Sequence, residues 1–260
     1  SDFKNQAVTK FSEAGYEVQT VRLATTPFLD YFSSLDKDEA LSWVQDLEAE
    51  AEQNGFTYVS LGPASPEFPA SYPLIPALLA GTKNIFFSGI MAGRHSGVNM
   101  AAVRACAQII TYNAAITPDG FTNLRFAALG NVPPGAPFFP AAYHSGSLLR
   151  FALAVECADT ARTAFSKAAS IAEARKNLLD SLESAGQMLA SIAAELSFEF
   201  KIEFGGIDFS LAPFPDDSCS LGGAIETLGP SRIGASGSLA AAAIVADILT
   251  LLGEKHVRST

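Results

Sequence analysis

Four stretches of this sequence gather polar and ionisable side chains where the chain is expected to turn, and each suggests its own chemistry. In Gly93-Arg94-His95-Ser96-Gly97 a strand gives way to a helix. Backbone N–H groups and the Arg94 guanidinium, with His95 beside them, can hold an anion at such a helix N-terminus. The same residues also suit a capped turn with Ser96 as the N-cap. Pro137-Phe138-Phe139-Pro140-Ala141-Ala142-Tyr143-His144 is a stiff aromatic loop that can wall a pocket. It would deliver Tyr143 together with His144, whose titration near neutral pH fits proton transfer. Its plain alternative is a packed loop in which the histidine satisfies a backbone carbonyl.

The third stretch, Gly205-Gly206-Ile207-Asp208-Phe209-Ser210, places Asp208 and Ser210 on one side of an extended segment. Two polar groups directed inward are either hydrogen-bonded partners or ligand contacts. Asp216, Asp217 and Cys219 follow, but adjacent aspartates point different ways and Pro-Asp-Asp-Ser is also an ordinary helix cap, so no metal is expected. The fourth, Gly234-Ala235-Ser236-Gly237-Ser238, is half of a phosphate cradle. It lacks GxGxxG, and no GxxxxGK[ST], GxSxG or HExxH occurs anywhere, so no cofactor is named.

The elements that must position these groups read as alternating helices and strands. Helices are expected over 2–14, 36–54, 98–115, 148–158, 221–228 and 239–252, with another around 75–80 and a long one marked from Ile171 to Leu196 by one apolar face. Strands are expected over 16–24, 56–61, 84–90, 123–129 and 198–204, and a short one over 207–211. The short apolar runs bounded by turns suit buried parallel strands. Helices covering a mostly parallel sheet or barrel, in one α/β domain over 1–260, are the expected architecture.

Composition narrows the function. The 260 residues are 48% apolar and 17% charged, enough to fill a core. With 27 acidic against 17 basic side chains there is no global basic field, which argues against nucleic acid as a partner. The apolar run 239–246 is far short of the roughly 20 residues a membrane span needs, and residues 1–10 lack a signal-peptide pattern. Three scattered cysteines fit neither a disulfide framework nor paired zinc ligands, so a cytoplasmic setting is expected.

Several blocks carry a family resemblance: 15–22 (GYEVQTVR), 123–128 (NLRFAA), 137–144, 206–213 (GIDFSLAP) and 225–229 (IETLG). In order, and over most of the chain, they resemble domain-of-unknown-function family 711, a family glossed as pyruvate formate-lyase-like. The resemblance implies a ten-stranded α/β barrel of the kind found in glycyl-radical enzymes, and it implies no established activity. The strands read here are too few to close ten, so an incomplete or compact barrel is expected, as a short relative, a fragment or half of an assembly. No glycyl-radical segment is present and the cysteines are isolated, so a radical mechanism is not expected. Open sheet edges then predict a homo-oligomer.

Two functions remain open. In the first, the protein is an enzyme acting on a small anionic metabolite by acid/base chemistry. Asp208, His144 and Glu226 then move protons, Arg94 and Arg125 meet the anionic group, and His95, Tyr143 and Ser210 complete a shared pocket with Cys219 at its rim. In the second, the same pocket serves a non-catalytic small-molecule-binding or regulatory module.

Overall fold

A computed structural model of the protein describes residues 2–32, 36–137, 139–146, 148–212 and 216–257. Phe138 of the aromatic loop, and Pro213 and Pro215 after the Asp208 segment, lie outside the described residues. The chain divides into two compact units, Ser1–Leu149 and Arg150–Thr260.

The first unit runs α1 (Asp2–Glu13), β1 (Arg22–Pro27), α2 (Lys37–Gln53), β2 (Tyr58–Ala64), α3 (Ile75–Ala80), β3 (Ile85–Gly93), β4 (Gly97–Val98), α4 (Met100–Asn113), α5 (Phe121–Leu124) and β5 (Phe126–Gly130). Its sheet has five strands. β1, β2, β3 and β5 lie parallel in that order, and β4 is a short antiparallel return along the end of β3. The register Val59↔Ile85 and Leu61↔Phe87 puts these side chains on one face, all buried with Phe28, Val44, Ile75, Leu78 and Ile109. That face packs the helices. Asp36 starts α2 by accepting from the N–H groups of Asp38 and Glu39 at 3.0 and 2.9 Å, which satisfies two of the donors every helix start leaves open.

The other face of this sheet is covered by residues 131–137 and 139–146, which form a strap. The Ser60 hydroxyl lies 2.8 Å from the Ala142 carbonyl and 3.1 Å from that of Pro140. The Phe139 ring meets Phe86 edge-on at 5.5 Å. The strap also braces itself, with the Tyr143 hydroxyl donating to Val132 O at 3.0 Å and Gly135 N–H to Tyr143 O at 2.8 Å.

The second unit runs β6 (Arg150–Ala154), α6 (Ala158–Ser166), α7 (Ile171–Phe200), β7 (Glu203–Asp208), α8 (Leu221–Glu226) and α9 (Ser238–Val257). β6 and β7 form a separate parallel pair, joined at one end by the 3.0 Å Arg150–Glu203 ion pair. The helices close a core around Ala161, Leu178, Leu182, Ala224, Val245 and Ile248.

The architecture is mixed α/β with mostly parallel strands, and four expectations about it are corrected. The described strands form two sheets, not one, and close no barrel. Residues 148–158 hold strand β6 before helix α6, because a short apolar run reads equally as either and pairing with β7 decides it. Residues 198–200 belong to α7, which ends at Lys201 in the left-handed conformation (φ 55°), and the strand begins only at Glu203. Phe198, counted as a strand residue by alternation, is 89% exposed on that last helical turn. Strand β1 likewise starts at Arg22 because its partner begins at Tyr58, leaving residues 16–21 no ladder beyond the bond from Thr57 N–H to Val21 O.

Candidate functional site

In the first unit, Gly93 to Gly97 make the tight return between β3 and β4, with Gly97 at φ 69°. The helix does not begin there. It begins at Met100, capped by Asn99, whose Oδ1 accepts from Ala102 N–H at 2.9 Å. The helix start expected at this turn is therefore corrected: Arg94 and His95 stand exposed on the tip of a hairpin, and Ser96 is not the cap.

His144 arrives at the C-terminal end of β1, where its N–H donates to Thr25 O at 2.8 Å. Both ring nitrogens are engaged by nearby backbone. Nδ1 accepts from Gly146 N–H at 3.0 Å, and Nε2 lies 2.9 Å from Leu148 O. With Nδ1 accepting, Nε2 is the nitrogen placed to donate to the Leu148 carbonyl. Tyr143 is tied back to the strap, and burial raises its hydroxyl pKa.

Arg125 lies just before β5, at the end of the sheet opposite Arg94. It is 4% exposed. Nη1 donates to the carbonyls of Thr82 at 3.0 Å and Ile85 at 3.2 Å, and Nη2 to Leu79 O at 2.5 Å. Burial pulls its pKa down and the Glu48 carboxylate opposes that shift. A guanidinium so placed holds main chain together.

In the second unit, Asp208 ends β7 and its Oδ1 accepts from both the N–H and the hydroxyl of Ser210, at 2.9 and 2.7 Å. The two side chains form a hydrogen-bonded pair. Glu226 ends α8, and its Oε1 accepts from Ile233 N–H at 2.8 Å. Ser238 closes the Gly-rich turn by accepting from Gly234 N–H at 3.1 Å. Asp216 accepts from the N–H and hydroxyl of Ser218, which together hold its carboxyl below the usual range, and Cys219 follows on the same turn. No cluster of three or more metal-ligating side chains occurs among the described residues.

Two buried thiols complete the inventory. Burial pushes Cys106 up to about 11 and Cys157 up to about 12, the latter with help from the negative charges of Asp159, Asp208 and Glu156. Both are held as neutral thiols, which are poor nucleophiles.

Sequence reasoning passed over Ser60 and Ser88. Each sits inside an apolar run on the strap-covered face, and each is wholly buried. Ser60 fastens the strap, whereas the Ser88 hydroxyl has no partner among the described residues. The signal was present as a lone polar residue in each run, but strands read as buried on both faces gave no reason to separate the faces.

These features define a mixed α/β protein with a parallel sheet, helices on one face and a proline-rich strap on the other. Residues 1–255 match the family described as Uncharacterised ACR (DUF711), and the chain belongs to that family. It is similar to a UPF0210 protein of Pyrobaculum islandicum, 28% identical over 251 residues that cover 91% of this chain and 54% of the relative. It is also similar to UPF0210 proteins of Actinobacillus succinogenes (26% over 253 residues, 90% of this chain and 54% of the relative) and Neisseria gonorrhoeae (26% over 256 residues, 93% and 56%). The chain spans about half the length of these curated relatives.

Proposed function

We propose that this chain is a small-molecule-binding module whose own side chains perform no acid–base catalysis. One observation carries the reading: the three groups suited to proton transfer are each engaged by local hydrogen bonds, His144 at both ring nitrogens, Asp208 by Ser210 and Glu226 by Ile233. Ligands of α/β folds gather at the C-terminal ends of parallel strands, where the first unit presents Thr25, the strap and the Arg94–His95 tip.

A thermal-shift screen of a metabolite panel tests this, because a ligand of the native state raises Tm. The reading expects a hit that is not turned over and whose shift survives Asp208→Asn and Glu226→Gln. Turnover of the hit, or loss of the shift in either variant, would overturn it. The second reading, an acid/base enzyme for a small anionic metabolite, draws support from the exposed Arg94 guanidinium with His95 beside it. It requires Asp208→Asn to abolish the shift.

The remaining features of this proposal concern setting. The parallel order β1-β2-β3-β5 is compatible with an arc of a pyruvate formate-lyase-like barrel, and the family match that runs across both units supports one functional domain. Free Cys106, Cys157 and Cys219 suit the reducing cytoplasm. Among the described residues β1, β4, β5, β6 and β7 each pair with one strand only, which supports a homo-oligomer that covers the open edges.

A further inference from the structure

The strap-covered face of the five-stranded sheet carries a lane of small side chains. The register Ala24↔Ser60 and Ser88↔Ala127 sets four of them on this face. Gly62 adds no side chain there, and its backbone approaches β1 so closely that a Cβ would lie 2.6 Å from Thr26. The strap arches over this lane. It leaves the sheet at Asn131, whose N–H donates to Ala92 O at 2.9 Å, and its Phe139 ring rests on Phe86. The returning limb passes Ser60 and ends on Thr25. Ser88 lies between Phe86 and Ala92 on β3, on the same face as Phe86 by strand alternation, and so sits beneath the arch.

Three observations separate this arch from ordinary packing. Ser88 is wholly buried, and its hydroxyl has no partner among the described residues, a state that costs stability until a partner is supplied. Ser60 has a single proton and two carbonyls within reach, at 2.8 and 3.1 Å, so it donates to one of them at a time. The lane of Ala24, Ser60, Gly62, Ser88 and Ala127 bears no charge of its own, and Arg22 at its rim is exposed and lies over the Tyr58 and Phe139 rings.

We propose that the arch is a ligand site anchored by the Ser88 hydroxyl, and that its occupant is a small uncharged molecule carrying hydroxyl or amide N–H donors. The proposal rests on the small-molecule-binding reading and names its ligand class. The occupant pairs with Ser88 and donates to the carbonyl that Ser60 leaves over. The strap yields to admit it, since among the described residues its polar fastenings to this face are the Asn131 N–H, the Ser60 hydroxyl and the His144 N–H, beside the ring contacts of Phe139. Arg22 is part of those contacts, its guanidinium lying 5.3 Å from the Phe139 ring centroid.

Backbone amide NMR of the full chain, titrated with glycerol, erythritol and acetamide and with acetate and inorganic phosphate as charged controls, tests the site. The expected result is saturable movement of the Ser60, Ser88 and Ala127 amides with at least one neutral probe and with neither charged control. Ser88→Ala should weaken that binding about fivefold or more, the worth of one hydrogen bond. Ser88→Thr keeps the hydroxyl and should retain the response. Unchanged binding in Ser88→Ala, movement only with the charged controls, or no saturable movement at all would each overturn the proposal. If the metabolite screen still yields a stabilising ligand in any of those cases, the anchor falls and the module reading stands. If the screen is also blank, both fall.

Discussion

The Nη2 of Arg125 donates to the carbonyl of Leu79 across 2.5 Å, linking the turn before β5 to the last turn of α3. Helix ends leave carbonyls without partners, and here a single guanidinium serves those of Leu79, Thr82 and Ile85. Glu48 completes the bracket by accepting from Lys83 and Asn84 N–H groups. Arg125→Met keeps the aliphatic stem and strands three buried acceptors, and should cost roughly 2–4 kcal/mol. Urea denaturation measures this, and a loss below about 0.5 kcal/mol would show that the bracket holds nothing.

Asp208 and Ser210 form a closed turn of their own. In Asp208→Asn the retained Oδ1 still accepts from the Ser210 N–H and hydroxyl, so apo stability should change by no more than about 0.5 kcal/mol. Asp208→Ala removes the acceptor from both donors and should cost about 1 kcal/mol or more. Equal losses in the two variants would mean that the carboxylate charge, not the acceptor, matters here.

The strap offers a local test. Ser60→Ala removes the one side-chain hydroxyl fastening it to β2, a loss of about 1 kcal/mol. Hydrogen exchange should then quicken at the amides of Gly135 and His144 while those in β2 and β3 keep their protection. Uniform quickening through the sheet would instead assign Ser60 to global stability.

The parts of this fold legible in the sequence are those where one local pattern dominates. Asp36 ahead of an apolar helical stripe, Gly15 after α1 and the apolar runs of β2 and β3 each specify their element with little help from the rest of the chain. The C-terminal half was harder because its decisive contacts are tertiary. Phe151 and Leu153 become strand residues only through pairing with Phe204 and Ile207, and the alternation from Phe198 to Phe204 runs across a helix end at Lys201 that no capping glycine marks. For the site, residue type pointed correctly to polar groups at turns but not to their partners. Whether Asp208 meets a ligand or Ser210, and whether Arg125 meets an anion or three carbonyls, depends on backbone brought near by the fold.

The buried thiols give the chain a defined response to alkaline pH. An ordinary cysteine titrates near 9, whereas Cys106 and Cys157 are pushed up to about 11 and about 12. Above pH 9 the unfolded chain sheds thiol protons that the folded chain retains, so deprotonation favours unfolding. Stability is therefore fully present below about pH 9 and declines as pH rises toward 11 and 12. Burial also raises the Tyr72 hydroxyl, whose proton is donated to Ile90 O, and this extends the decline in the same direction at higher pH. Urea midpoints at pH 8, 9 and 10 should fall over the last interval, and Cys157→Ala should flatten the fall even if it lowers the midpoint at pH 8. Under native conditions at pH 8, iodoacetamide should label Cys219, which is partly exposed, well before the other two. Labelling of Cys106 or Cys157 as fast as Cys219, or a flat midpoint from pH 8 to 10, would show that neither thiol is held in its neutral form by the fold.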